Sequence, residues 1–276
     1  MTQIEFGSRL VYDIKRPTIL LLKIAASWTQ HQLISNEQQM VEPNLPIEQC
    51  QVGAEGNRLF RLIAQPCQLT IAYSAVADLT PDIERPHRVD ESAPAAIPPE
   101  VLTYINPSRY CESDLLARFA FEEFGALAPG FGRVQAICDW VYEHLDYTSG
   151  STTATTTAAD VLLQRTGVCR DYAHLAITLC RGVGIPARYV SGYAVALQPP
   201  DFHGFIEAYL DGQWYLFDPT RLASTLGLVR IGVGRDAADV AFCTLTGAAT
   251  LLHKEVWASF RDGAHKQSEP AAVSTA

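Results

Sequence analysis

The stretch from Gly167 to Tyr193, GVCRDYAHLAITLCRGVGIPARYVSGY, constrains the fold more than any other part of this chain. Gly167 supplies a flexible entry. Cys169 to Val183 is apolar nearly all round, the pattern of a buried helix rather than a surface one. Gly184 followed by Pro186 is a helix stop, and Ala187 to Tyr193 is β-prone and predicts a strand. The run places a cysteine in the first turn of a buried helix, where free backbone amides and the macrodipole favour an anion and hence a thiolate. Taken alone, Cys169 reads first as a buried structural thiol, because free cysteines are among the most buried residues and most are inert.

A second stretch, DFHGFIEAYLDGQWYLFDPT (201–220), changes that balance. Two β-like runs flank Asp211-Gly212, the strongest short hairpin signal. With a two-residue turn, Leu210 faces Gln213, His203 faces Thr220, and Asp218 faces Phe205. His203 and Asp218 then share one face as diagonal neighbours, about 7–8 Å apart at Cα and within side-chain reach. Ile206, Ala208, Leu210, Tyr215 and Phe217 fall on the other face, which suits a core. A three-residue loop would break this parity, so the expectation depends on the turn type. A cysteine at a helix start with a histidine and an aspartate on one hairpin face is a nucleophile, base and orienter arrangement.

These motifs, GVCRDYAHLAITLCRGVGIPARYVSGY, FHGFIEAYL and WYLFDPT, resemble the transglutaminase-like superfamily in its bacterial cysteine-protease branch, over roughly residues 105 to 245. The resemblance implies an α+β fold: a papain/transglutaminase-like core, in which the cysteine-bearing helix packs on an antiparallel sheet, preceded by a small all-β domain. It implies a catalytic triad of Cys169, His203 and Asp218, and acyl transfer on an amide, with peptide or isopeptide hydrolysis first. With an amine in place of water as acceptor, the same triad would give a transglutaminase or deamidase. An upstream aromatic group helps hold the oxyanion in the superfamily, and Trp140 and Tyr147 are the candidates here. One departure stands beside the histidine. The family usually has Ala-Trp there, and this chain has Gly204-Phe205, so Phe205 is a candidate wall of the substrate site.

Two other classes compete: a non-catalytic scaffold with this fold, and a zinc site made by Cys169, His203 and Asp218. An intact triad argues against the first, and the positive potential already present at a helix N-terminus against the second. There is no DxDxDG-type calcium loop, and the chemistry needs no metal or cofactor. His174 lies about 140° round the same helix from Cys169, and Asp171 about 200°, so neither can serve as the base. Gly232 and Gly234 lack the strand–GxGxxG–helix context of a phosphate loop.

Composition narrows the setting. A net charge of −9 without any basic stripe argues against nucleic acid and anionic membrane surfaces. The start, MTQIEFGSRL, lacks the pattern of a signal peptide. Seven cysteines, an odd number in no metal-ligand spacing, fit a reducing cytoplasm.

In chain order, residues 1–80 read as a β-sandwich-like domain, with RLVYDI, TILLLKIAA, RLFRLIA and LTIAYSAV as strands. Residues 81–108 carry six prolines and read as an extended linker. The catalytic domain is expected over 109–260. Within it, helices run from Ser113 or Asp114 to about Phe124 and from Arg133 to Leu145, the Thr-rich loop 148–157 is either a capping connector or a rim of the site, and a last strand covers 243–257. The tail 261–276 is polar and small and reads as disordered.

Overall fold

The structure, a computed structural model, describes residues 2–53, 55–261 and 271–276. Alternation of apolar and polar residues makes the first part all β. Its strands are β1 (Thr2–Leu22), β2 (Gln32–Glu42), β3 (Glu48–Val52), β4 (Asn57–Ala64) and β5 (Cys67–Leu79). They pair in the order β2-β5-β1-β4-β3. The two expected strands RLVYDI and TILLLKIAA are one 21-residue strand, because Pro17 lies within β1 without ending it.

The second part begins with β6 (Asp82–Glu84), then α1 (Ser113–Phe124), α2 (Phe131–His144), β7 (Asp146–Tyr147), α3 (Ala158–Gln164), β8 (Thr166–Gly167) and α4 (Cys169–Gly182). It continues with β9 (Ala187–Ala194), β10 (Phe202–Leu210), β11 (Gln213–Phe217), β12 (Leu228–Gly234), α5 (Ala237–Val240), β13 (Cys243–Phe260) and β14 (Ala272–Ser274). The second sheet runs β12-β9-β10-β11-β14-β6. Helix α4 is the central packing element, and every residue from Asp171 to Arg181 is buried. Its apolar side chains join Ile206, Ala208, Leu210, Tyr215 and Phe217 in one core. At about 1.5–3 kcal/mol for each large apolar side chain, this contact fixes α4 on the sheet. The antiparallel core behind a β domain is the expected α+β arrangement.

The two sheets share a second core. Tyr193, Val195, Val229 and Ile231 of the second sheet's part of the chain pack with Phe6, Tyr73 and the rest of the first sheet's interior. The Tyr193 hydroxyl lies 3.0 Å from Ser8 Oγ and donates to the Ile24 carbonyl at 2.7 Å.

Two expectations change here, and that of an extended proline-rich segment gains detail. Strand β13 belongs to the first sheet, where it pairs antiparallel with β1 from Ile4↔Phe260 to Leu22↔Cys243. The long open edge of β1 offers backbone partners that a free last strand would lack. The proline-rich segment holds β6 and is anchored: Phe131 N–H donates to the Val89 carbonyl, and Glu91 pairs with Arg133 at 3.3 Å. The tail expected to be disordered from 261 divides. Residues 262–270 lie outside the described residues, whereas β14 inserts between β11 and β6 with Ala272 and Val273 fully buried. Among the described residues, no helix is long and apolar enough to cross a membrane.

Candidate active site

The turn between β10 and β11 is the two-residue kind. Asp211 and Gly212 both have positive φ, 46° and 81°, as a type I′ turn requires. Leu210 faces Gln213 and Ile206 faces Phe217. Extended by parity, that register sets His203 against Thr220, and the structure brings His203, Asp218 and Thr220 together. His203 Nε2 lies 3.0 Å from Asp218 Oδ2 and 3.3 Å from Thr220 Oγ1. Asp218 also accepts from the Thr220 hydroxyl at 2.7 Å and from the backbone N–H groups of Thr220 and Ala223, each at 2.9 Å. All four carboxylate lone-pair sites are used, which is the environment of an ionised acid.

Cys169 sits at the first position of α4, and its cleft of about 760 Å³ is also lined by His203. Asp171 holds the helix start. Buried completely, it accepts from Val168 N–H at 2.9 Å, from Thr152 Oγ1 at 2.6 Å and from Arg170. The Thr-rich loop therefore caps α3 through Thr157 and also rims the cleft, whose lining includes Ala154 as well as Cys169.

The electrostatics of His203 follow from its neighbours. Burial opposes the imidazolium, but the Asp218 hydrogen bond, the Cys169 side chain and the Asp218 charge outweigh it and raise its pKa to about 10. The same pairing holds the Asp218 carboxyl below its ordinary range despite burial. His203 Nδ1 is buried and has no hydrogen-bond partner among the described residues, so one ring nitrogen is anchored and the other is not.

The remaining candidates separate. Tyr147 is set beside the helix start by the β7–β8 pair, opposite Gly167. Burial, then the neighbouring Cys169, raises its hydroxyl pKa. Trp140 is elsewhere: its ring stacks on His144 at 4.0 Å and meets Phe119 and Phe124 edge-on. Phe205 is fully buried; it supports the His203 ring edge-on from 4.7 Å rather than walling the cleft. Gly204 has a steric cause, since a Cβ there would overlap the Tyr189 hydroxyl. His174 is a core residue: its Nε2 accepts from Ala237 N–H at 3.1 Å.

Sequence reading missed three contributors. Thr220 was legible from the hairpin register, although no role attached to it. Tyr189 was reachable from the pairing of β9 with β10, which sets it opposite Ile206 beside Gly204. The Asp201–Lys254 pair at the cleft, 2.5 Å long, carried no local signal because Lys254 arrives on β13.

Comparison with known proteins gives a consistent result. Residues 120–219 match the transglutaminase-like superfamily, and residues 3–93 match the bacterial transglutaminase N-terminal domain. The crystal structure of a candidate cysteine protease from Cytophaga hutchinsonii is 36% identical, covers 99% of this chain and 97% of its own, and superposes with a TM-score of 0.94. An uncharacterized protein of Mycobacterium leprae is 40% identical over 117 residues, 39% of this chain and 42% of that protein. One of Mycobacterium tuberculosis is 32% identical over 171 residues, 55% of this chain and 54% of that protein. The matched region thus spans about half the length of these curated relatives.

Proposed function

Because this chain belongs to the transglutaminase-like superfamily, we propose that it is a cysteine-dependent acyl-transfer enzyme that hydrolyses a peptide, isopeptide or related amide through Cys169, His203 and Asp218. The observation that carries the proposal is the polarity of His203: Nε2 is anchored on Asp218, Nδ1 has no hydrogen-bond partner among the described residues, and the residue lines the same cleft as Cys169. The similarity to a candidate cysteine protease along nearly the whole chain supports hydrolysis ahead of other outcomes.

The chemistry runs in two halves. Cys169 Sγ attacks the amide carbonyl while its proton resides on His203 Nδ1. The oxyanion is held by backbone N–H groups at the start of α4, with the Tyr147 hydroxyl as an added donor. The C–N bond breaks, His203 gives its proton to the leaving amine, and a thioester remains on Cys169. Water then gives a proton to His203 and attacks the thioester; the acid leaves and the thiol is restored. Asp218 stabilises the imidazolium in both halves. An amine in place of water would give the transglutaminase product, which mass spectrometry distinguishes from the acid. Seven free thiols support a reducing cytoplasm as the setting, and the net charge of −9 supports a peptide or amide rather than a nucleic acid as substrate.

The test is the rate of Cys169 alkylation by iodoacetamide against pH, with the modified residue identified by mass spectrometry. Rapid reaction below pH 7 that slows by on the order of 10²-fold in His203→Ala is the expected result. A slow rate that the variant leaves unchanged would sink the nucleophile–base reading and favour a scaffold.

A further inference from the structure

The hydrogen-bond donors around Asp218 can be counted, and the count assigns a role to Thr220. This residue is 2% exposed and its hydroxyl has three polar neighbours: Asp218 Oδ1 at 2.7 Å, Leu222 N–H at 3.2 Å and His203 Nε2 at 3.3 Å. A hydroxyl has one proton to give and two lone pairs to receive. An ionised Asp218 only accepts, so the single Thr220 proton goes to Oδ1. The Leu222 N–H takes one lone pair. Only a lone pair is left facing His203, and Nε2 must therefore be a donor, its N–H shared between Asp218 Oδ2 and Thr220 Oγ1.

We infer that Thr220 is a positioning residue that keeps a proton on His203 Nε2 in both charge states of the ring. The proton exchanged with Cys169 is then always the one on Nδ1. Asp218 alone does not enforce this. A carboxylate turned away from its present setting could leave Nε2 free to swap tautomer, and the Thr220 hydroxyl and N–H both grip Oδ1 against such a turn. Because Thr220 touches neither the cleft nor Cys169, it acts only through His203 and Asp218. The inference rests on the proposed Cys169–His203 pair.

Three readouts test it. In Thr220→Val, alkylation of Cys169 at pH 6–7 is expected to slow by about tenfold, the value of one hydrogen bond to a charged group, with the acid limb of the profile moved. Thr220→Ser keeps the hydroxyl and should stay within about twofold of the parent, by the same reasoning. In Cys169→Ala protein labelled with ¹⁵N and held above the His203 titration, the neutral ring should carry its proton on Nε2.

A Thr220→Val profile identical to the parent, a Thr220→Ser variant as slow as Thr220→Val, or a ring protonated on Nδ1 would each overturn the inference. Should Thr220→Val fail to fold, Thr220→Ala takes its place in the comparison with Thr220→Ser, and the ¹⁵N spectrum is read in that variant as well, where a ring still protonated wholly on Nε2 would overturn the inference. Failure of the underlying reading looks different: the parent itself would then alkylate slowly and ignore His203→Ala.

Discussion

Two buried histidines in this molecule have opposite fates. His174 and His203 are 1% and 2% exposed, and in both Nδ1 lacks a partner. In His174, burial drives the imidazole pKa down to about 3, and the opposing charge of Asp171 does not offset it. Its Nε2 meets a donor, Ala237 N–H, so the neutral ring is the one that fits. The ring is further held by stacking on Tyr110 at 5.0 Å. In His203 the same burial is overcome because Nε2 meets an acceptor, the Asp218 carboxylate, and the Cys169 side chain adds to the pull. Charge-assisted hydrogen bonds are roughly twice as strong as neutral ones, and at such depth the partner decides the charge. Burial alone favours the neutral ring; burial with a carboxylate hydrogen-bonded to the ring lets it hold a second proton through neutral pH.

The largest effect expected from breaking this contrast is in Asp218→Ala. His203 then keeps its burial and loses its charged acceptor, and although Cys169 still favours the imidazolium, its pKa should fall from about 10 toward or below the ordinary value of about 6.5. Once a substrate is in hand, turnover should fall by on the order of 10³–10⁴-fold yet stay above that of Cys169→Ala. NMR titration of the ring and a steady-state assay check both parts. A fully active variant would remove the orienting role.

A smaller effect lies in stability against pH, where the two rings act at opposite ends. His203 has a folded pKa of about 10, above the unfolded value of about 6.5. Its contribution is therefore whole below pH 6.5 and is lost as pH rises through 10. His174, at about 3 when folded, contributes fully above pH 6.5 and loses that contribution as pH falls toward 3. Urea unfolding followed across pH should show both slopes, each at most about 1.4 kcal/mol per pH unit. His203→Gln should flatten only the alkaline slope and His174→Phe only the acid one.

The smallest effect on reactivity belongs to His174→Phe. Losing the acceptor for Ala237 N–H should cost about 1–3 kcal/mol of stability, while the pH profile of Cys169 alkylation stays within about threefold of the parent. A profile that shifts with His174 would make the two histidines a coupled pair and undo the comparison.

The sequence carried much of this site because its geometry is local. Asp211-Gly212 sets a type I′ turn, the turn sets the register, and the register brings His203 to Asp218 and Thr220. The helix from Cys169 was legible for the same reason, since its apolar residues recur all round one short segment. What sets Tyr147 beside the helix start is the β7–β8 pair, a contact between segments 20 residues apart that neither segment announces locally.

What the sequence by itself determined is every element that short-range chemistry specifies: the buried helix, the hairpin and the residues each one points. Only the tertiary structure decided which strands meet. β13 lies along β1 some 240 residues away, Ala272–Ser274 join β11 to β6 in the second sheet, and Lys254 pairs with Asp201 at the cleft. Strand edges are interchangeable in their backbone chemistry, and a partner is chosen by which edge the rest of the fold leaves open and which apolar face it covers.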